Sequence, residues 1–465
     1  MWVNSIDIPK SSPVQYDDFM VSGSTRCRHL LWAMVVPVLL LLSDSCSFLL
    51  EWPPAKPDTI GPGARTLAEV YEALDSLAVQ YQECVSIDTI GYGSSADYPA
   101  GGEPGDPALP IRLAVWKDPS LPQPPWGLVP IRITGAIHGN EELGTELALA
   151  LLEKAGRENP PELAGLELHV VPVANPYGYL HTTRYNYHGV DLNRNFSWAW
   201  GYESYQGYAP LDQPESRALA THAATVPFAL SLSLHTGAYR MVMPWDYLGT
   251  TNTLETFLDP TLPPAFPYED YLSQYSPAHD FLLAWATEFA WIVEDSFPEQ
   301  GSFSVVQGFD WYFAGGTETD HLYMELGVPA YTVELSPYKY WKTRTAAERE
   351  RLVQGHLKAL LAMLAESRQG IHGRILGEPA LGIETRVNAV RVVDASGDAR
   401  ALSGPKPEPY TSFGLVSTID GSFHIPLAAG TYQLTVVRDG VELPGSSAIV
   451  EPGAGTYVEI EIAAP

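Results

Sequence analysis

His138 and Glu141 stand three positions apart, after the apolar run 129–134 and at the head of the apolar-periodic run 142–152. The first run predicts a buried strand and the second a helix, so the pair falls at a strand's C-terminal end, where open α/β sheets place ligands. A neutral imidazole and a carboxylate at this spacing can converge on one cation. Two more apolar strands end on similar groups: 228–234 runs into His235, and 328–335 carries Glu334. Two His and one Glu make three zinc ligands and leave a fourth position for water. A second carboxylate beside that water can act as general base and then as acid. Arg184 and Arg194 share one loop-rich span and suit an oxyanion or a substrate carboxylate. Each residue alone has an ordinary reading as a buried histidine, a strand-end charge or a structural ion-pair partner. The ordered set does not.

Positioning these groups takes several elements. Helical periodicity covers 66–81, 214–224 and 346–367, and strands are expected at 86–90, 111–116 and 166–173. The span 92–110 is rich in Gly, Pro and Asp and reads as a surface loop. From Gly370 onward short Val-, Ile- and Thr-rich runs at 387–393, 415–418, 422–425, 432–437 and 457–462 alternate with turn residues. That spacing predicts a small all-β sandwich. The expected division is a leader with export signal over 1–48, a Pro-rich linker over 49–65, a catalytic domain over 66–368 and the β-sandwich over 370–465.

The 465-residue chain has a formal charge of -28, which argues against nucleic acid as a partner because phosphate binding needs clustered Lys and Arg. Its three cysteines, Cys27, Cys46 and Cys84, leave no disulfide framework and no cysteine zinc cluster. Arg26 and Arg28 flank the apolar run 30–42, with Ser43 and Ser45 behind it, the pattern of an export signal. The alternatives are anchoring by that segment, for which the run is short, and lipidation at Cys46. Either would attach the protein to a membrane outside the cytoplasm. Synthesis could also start at Met20.

Between residues 66 and 367 the chain resembles the zinc metallocarboxypeptidases, in particular the regulatory branch that includes carboxypeptidases N, E, M and D. His138-Gly139-Asn140-Glu141 looks like that branch's zinc motif. Asn175-Pro176-Tyr177-Gly178 resembles its Asn-Pro-Asp-Gly, with Tyr177 in place of Asp. Arg184-Tyr185-Asn186 and Asp191-Leu192-Asn193-Arg194-Asn195-Phe196 are similar to its paired arginine motifs. His235-Thr236-Gly237 with Pro244-Trp245-Asp246 matches the third-ligand strand, Trp311-Tyr312 before Gly315-Gly316 the mobile-tyrosine loop, and Glu334-Leu335-Ser336 with Lys339-Tyr340 the catalytic-glutamate strand.

The resemblance implies a mixed, mostly parallel central sheet flanked by helices, followed by a transthyretin-like β-domain, and one zinc ion per chain. It also implies no activation segment between the export signal and Thr66. His138, Glu141 and His235 would bind the metal. Arg184 would polarise the scissile carbonyl, Asn193 and Arg194 would hold the substrate's terminal carboxylate, and Tyr312 would close over the bound residue. Glu334 would take a proton from the attacking water and pass it to the leaving amine. The expected partners are peptide or protein C-termini, and the expected state is a monomer. The departures bear on specificity. Thr317-Glu318-Thr319-Asp320-His321 replaces the branch's Met-Gln-Asp, and Tyr247 follows Asp246. Asp246, Glu318 and Asp320 would be the carboxylates available to a C-terminal Arg or Lys side chain. The competing reading has Glu318 and Asp320 as solvated loop charges and Tyr247 in an apolar pocket. Asn195-Phe196-Ser197 spells a glycosylation acceptor whose place in a binding motif argues against its use. Two rival functions remain, an amino-acid deacylase of the same fold and an inactive peptide-binding relative.

Overall fold

The computed structural model describes residues 64–97, 105–247, 279–339, 345–376, 385–391, 411–417 and 420–462, apart from 121, 123, 125 and 202. The export-signal run, Cys27, Cys46 and the linker up to residue 63 lie outside these residues. Among the described residues no helix is long and apolar enough to cross a membrane.

Helix α1 (Leu67–Gln80) starts where Thr66 and Glu69 cap each other reciprocally, and it buries Leu67, Val70, Leu74 and Leu77. The expected periodicity thus becomes a stripe facing the core. Strands β1 (Val85–Gly93) and β2 (Asp106–Lys117) then pair antiparallel. Both reach into the span expected to be a loop. The ladder continues through register shifts at Gly91 and Gly93, and β1 is an edge strand, where glycine, proline and bulges are tolerated.

Next come β3 (Val129–Gly135), α2 (Glu142–Glu158), β4 (Leu166–Val171), the short α3 (Pro176–Leu180), α4 (Pro214–Thr225) and β5 (Leu230–His235). The sequence pattern marks out no element between His235 and Val328. The structure places β6 (Ala238–Met243), α5 (His279–Ser296), β7 (Ser304–Gln307), α6 (Gly308–Trp311) and α7 (Glu318–Leu326) there. β8 (Ala330–Ser336) and α8 (Ala346–Glu366) follow. The eight strands form one mixed sheet in the order β1-β2-β4-β3-β5-β8-β6-β7. Its centre, β4-β3-β5-β8, is parallel throughout. Strands 3, 4, 5 and 8 are almost wholly buried because helices cover both faces. The chain leaves β3 toward β4 on one side and returns to β5 on the other. This reversal creates the crevice in which such sheets bind ligands.

The final stretch builds two further sheets. One holds β10 (Thr385–Arg391), β11 (Thr411–Leu415), β13 (Gly430–Arg438) and β14 (Val441–Val450), the other β9 (Gly370–Leu376), β12 (Ser422–Pro426) and β15 (Gly455–Glu461). They share a core of their own that includes Val387, Phe423, Ile425, Leu434 and Val436. The strand expected at 415–418 lies at Thr411–Leu415, and β9 and β14 lack the alternation that would have marked them. Trp126, just before β3, stacks on His372 of β9 with ring centroids 5.3 Å apart.

The turn after β3 is tightly constrained. Ala136 holds φ 46, a left-handed conformation that costs an L-residue about 1–2 kcal/mol. Gly139 lies so close to α3 that a Cβ on it would overlap the Gly178 carbonyl and the Tyr179 amide nitrogen. Gly139→Ala is therefore expected to destabilise the fold by about 1–3 kcal/mol or more, since the obstacle is backbone that cannot rotate away. Chemical denaturation of the two proteins measures it, and equal stability would show that the turn can relax.

Candidate active site

Three motifs deliver side chains to the crevice. The turn after β3 presents His138 and Glu141, the latter as the residue capping α2. The end of β5 presents His235. Its neighbour β8 sets Glu334 directly opposite His235 in the ladder. His138, Glu141 and His235 are all buried, and one ligand atom from each lies within 4.8 Å of the other two. His138 Nδ1 is 3.1 Å from His235 Nδ1 and 3.0 Å from Glu141 Oε1, and His235 Nδ1 is 3.1 Å from Glu141 Oε2. Ligands about 2.0–2.1 Å from a tetrahedral zinc would sit roughly 3.3 Å apart. Lone pairs this close repel one another until a cation stands between them, so the donor set fits one metal ion.

Each imidazole's other nitrogen is engaged. His138 Nε2 is 3.1 Å from Asp191 Oδ1, and a carboxylate can only accept, so this nitrogen carries the proton. His235 Nε2 is 3.1 Å from Ser233 Oγ. The Asp191 contact leaves His138 Nδ1 as the lone-pair nitrogen, the arrangement that orients histidine toward a metal, and Arg184 NH1 lies 3.1 Å from that atom. Glu141 Oε2 accepts from the Thr236 amide at 3.0 Å. Burial works to raise the Glu141 carboxyl, but the two histidines hold it well below the usual carboxylate range.

Asp191 is a residue to which the sequence reading gave no role. Its Oδ2 accepts from Arg184 Nε at 2.8 Å, while Oδ1 accepts from the Asn193 amide at 3.0 Å as well as from His138. Burial pushes its carboxyl up, yet Arg184 and His138 outweigh that and keep it ionised far below its usual range. Its place at the head of the Asp-Leu-Asn-Arg run was the available signal. Asn175 works similarly one turn away. It caps α3 by accepting from the Gly178 amide at 2.8 Å and donates to the Ile137 and Arg184 carbonyls at 3.4 Å.

His138, Arg184, Asn193, Arg194, His235, Asp246, Tyr312 and Glu334 line one open cleft. Arg194 NH2 lies 3.5 Å from the Tyr312 hydroxyl, and NH1 donates to the Asn193 carbonyl at 2.7 Å. Glu334 is 8% exposed, and nothing among the described residues donates to its Oε2. Burial, then the nearby Glu141, push its carboxyl up to about 7 against the pull of His235, Arg184 and Lys339.

Two expected pocket carboxylates are not brought to the cleft. Glu318 is fully buried and pairs with Arg132 at 2.7 Å. Asp320 accepts from the backbone amides of Asp246 and Tyr247 at 2.9–3.0 Å, so its carboxylate serves a turn instead of a substrate. Neither is a solvated loop charge. Asp246 alone of the three faces the cleft, and burial raises its carboxyl to about 6 despite the Thr317 hydroxyl, Arg194 and His235. Asn195 is fully buried, its Nδ2 donating to the Gln206 and Ala209 carbonyls and to Asp212, which closes it to glycosylation in the folded chain.

Asp191→Asn keeps shape but weakens the grip on His138. Metal affinity should fall about 10- to 100-fold, measured by competition with a chromophoric chelator. An unchanged affinity would assign Asp191 to Arg184 alone.

Residues 127–350 match the zinc carboxypeptidase family. The catalytic chain of human carboxypeptidase N is 29% identical over 371 residues, which covers 71% of this chain and 74% of that protein. Carboxypeptidase E of Caenorhabditis elegans is 25% identical over 391 residues, covering 75% of this chain and 76% of its own. Among solved structures, thrombin-activatable fibrinolysis inhibitor aligns with a TM-score of 0.52 at 20% identity over 65% of this chain and 74% of the other. Carboxypeptidase A of Helicoverpa armigera gives 0.50 at 18% over 65% and 73%. Identities this low speak for the fold alone, whereas the family match spans the whole histidine–glutamate cluster. The chain carries a zinc carboxypeptidase domain and is a metallocarboxypeptidase.

Proposed function

We propose that this enzyme removes single residues from the C-termini of peptides or proteins and prefers C-terminal Arg or Lys. One observation carries the reading: the cleft unites the metal site with a buried carboxylate, Glu334, whose Oε2 has no donor among the described residues, and two arginines, Arg184 and Arg194. Zinc held by His138, Glu141 and His235 supplies Lewis-acid polarisation and acidifies water. The chain's own groups do the rest. Arg194, with Asn193, grips the terminal carboxylate, its planar fork suiting a bidentate contact. Tyr312, already beside Arg194, closes over the bound residue. Arg184 faces the carbonyl oxygen and stabilises the negative charge that develops there, an arrangement preset by its anchor on Asp191. Glu334 takes a proton from the attacking water as the new C–O bond forms. It returns that proton to the amine nitrogen as the C–N bond breaks.

The basic preference rests on Asp246. A buried carboxylate held near its titration point gains most from a cationic partner, and unpaired it penalises an apolar side chain. Action outside the cytoplasm accords with the export-signal pattern of 30–42. The same reading makes 66–368 the catalytic domain and 370–465 a transthyretin-like domain, for which the separate core of the two small sheets is the support.

Glu334→Gln should leave zinc bound and lower kcat by about 10²-fold or more. In the wild type a protonated Glu334 cannot accept the water's proton. Activity should therefore be present above its pKa and fall about tenfold per pH unit below it. That midpoint should lie at or under 7, because a bound cation opposes the upward push of burial. A variant that loses stability while keeping its turnover per folded molecule would make Glu334 a structural charge.

Substrate reading is tested by a panel of peptides ending in Arg, Lys, Phe, Leu and Glu, each with a free or amidated terminus. Amidation should lower kcat/KM roughly 10- to 100-fold, the worth of a charge-assisted contact, and Arg194→Ala should shrink that difference. Asp246→Asn should remove the preference for Arg and Lys. Equal cleavage of amidated peptides would indicate an endopeptidase, and faster turnover of N-acyl amino acids a deacylase. A preference for Phe or Leu unchanged by Asp246→Asn would refute the basic pocket alone.

A further inference from the structure

The two histidines of the metal site are backed differently. His138 leans directly on the Asp191 carboxylate, while His235 meets a hydroxyl, Ser233 Oγ, at 3.1 Å. That hydroxyl has one proton, and it donates it to Glu318 Oε2 at 2.9 Å. Its lone pair is then the acceptor for the His235 Nε2 proton. Glu318 is in turn held by Arg132, whose NH2 donates to Oε1 at 2.7 Å, and both side chains are sealed from solvent at 1% and 0% exposure. Arg132 NH1 also donates to Ser231 Oγ at 3.3 Å. Ser231, Ser233 and His235 alternate along β5, so one face of an otherwise apolar strand carries the whole series.

We propose that Glu318, acting through Ser233, is the positioning residue of the zinc ligand His235, as Asp191 is of His138. The unit is a carboxylate–hydroxyl–imidazole relay, and Arg132 stands behind it as the buried counter-ion. An ionised acceptor polarises the serine hydroxyl and strengthens its hold on the Nε2 proton. The imidazole is thereby locked in the tautomer whose Nδ1 faces the metal. Glu318 also reaches the substrate side of the site, but by its backbone: its amide donates to Asn193 Oδ1 at 2.9 Å. The two roles can therefore be separated, because changing Ser233 leaves the Asn193 contact in place.

The inference rests on His138, Glu141 and His235 being the zinc site, so the test includes that premise. Zinc affinity is measured for the wild type, Ser233→Ala, Ser233→Thr, Glu318→Gln and His235→Ala by competition with a chromophoric chelator, and kcat and KM at saturating zinc. Ser233→Ala should weaken zinc binding about 10- to 100-fold and lower kcat without raising KM, while Ser233→Thr restores both. Glu318→Gln, which keeps an acceptor oxygen but not the charge, should weaken zinc by a smaller factor. Wild-type zinc affinity in both Ser233→Ala and Glu318→Gln overturns the relay when His235→Ala loses the metal. Wild-type affinity in His235→Ala would instead overturn the zinc site itself.

Discussion

The buried Asp191 carboxylate stands between an imidazole and a guanidinium. One oxygen takes the proton of His138 Nε2 and the amide of Asn193, the other the Nε–H of Arg184. A buried carboxylate is costly until its lone pairs are filled and its charge is matched. These contacts meet both conditions. They also bind the metal ligand, the oxyanion-facing arginine and the start of the carboxylate-gripping loop to a single point. Misplacing Asp191 would disturb all three groups together. Coupling of this kind lets a site made from separate loops hold catalytic tolerances.

The same electrostatic demand shapes the rest of the cleft. Glu141, Asp191, Glu318, Asp320, Asp246 and Glu334 are all buried within one region. Four have fixed partners: the histidines for Glu141, Arg184 for Asp191, Arg132 for Glu318, and two backbone amides for Asp320. Burial shifts Glu334, Asp246 and Asp320 upward, but only Glu334 and Asp246 line the cleft, while the Asp320 carboxyl is taken up by backbone amides. In a low-dielectric site the groups without a full counter-charge are the ones poised to exchange a proton or await a cationic partner. Structural and reactive carboxylates thus differ in their partners more than in their depth.

The sheet supplies the frame for this division of labour. Parallel strands bring the turn after β3, the end of β5 and the end of β8 to one edge, and the reversal between β3 and β5 opens the crevice there. Close backbone packing of Gly139 on Gly178 brings the two loop motifs together, and the Asn175 side chain ties the Arg184 backbone to the same spot. The glycine contact is backbone on backbone, so the two loops pack as closely there as the core beneath them.

Much of this was legible in the sequence. Apolar runs ending in His138, His235 and Glu334 told of strands delivering ligands to one edge, because a buried strand has a clear pattern and its end a clear position. The helices at 67–80 and 346–366 announced themselves through periodicity, and the structure adds a reciprocal Thr–Glu cap at the start of each. The elements between His235 and Val328 did not: the short β6, β7 and α6 draw their order from neighbours distant in the chain, and the 18-residue α5 also went unread. Asp246, Glu318 and Asp320 looked alike as carboxylates near a pocket. Only the tertiary structure separated them, turning Glu318 onto Arg132, set 186 positions away, and Asp320 onto the backbone at residues 246 and 247, while leaving Asp246 facing the cleft. Residue type and local pattern determine what chemistry a side chain can do. Which way a buried charge faces is decided by the counter-charge that folding brings beside it, and no local pattern encodes that partner.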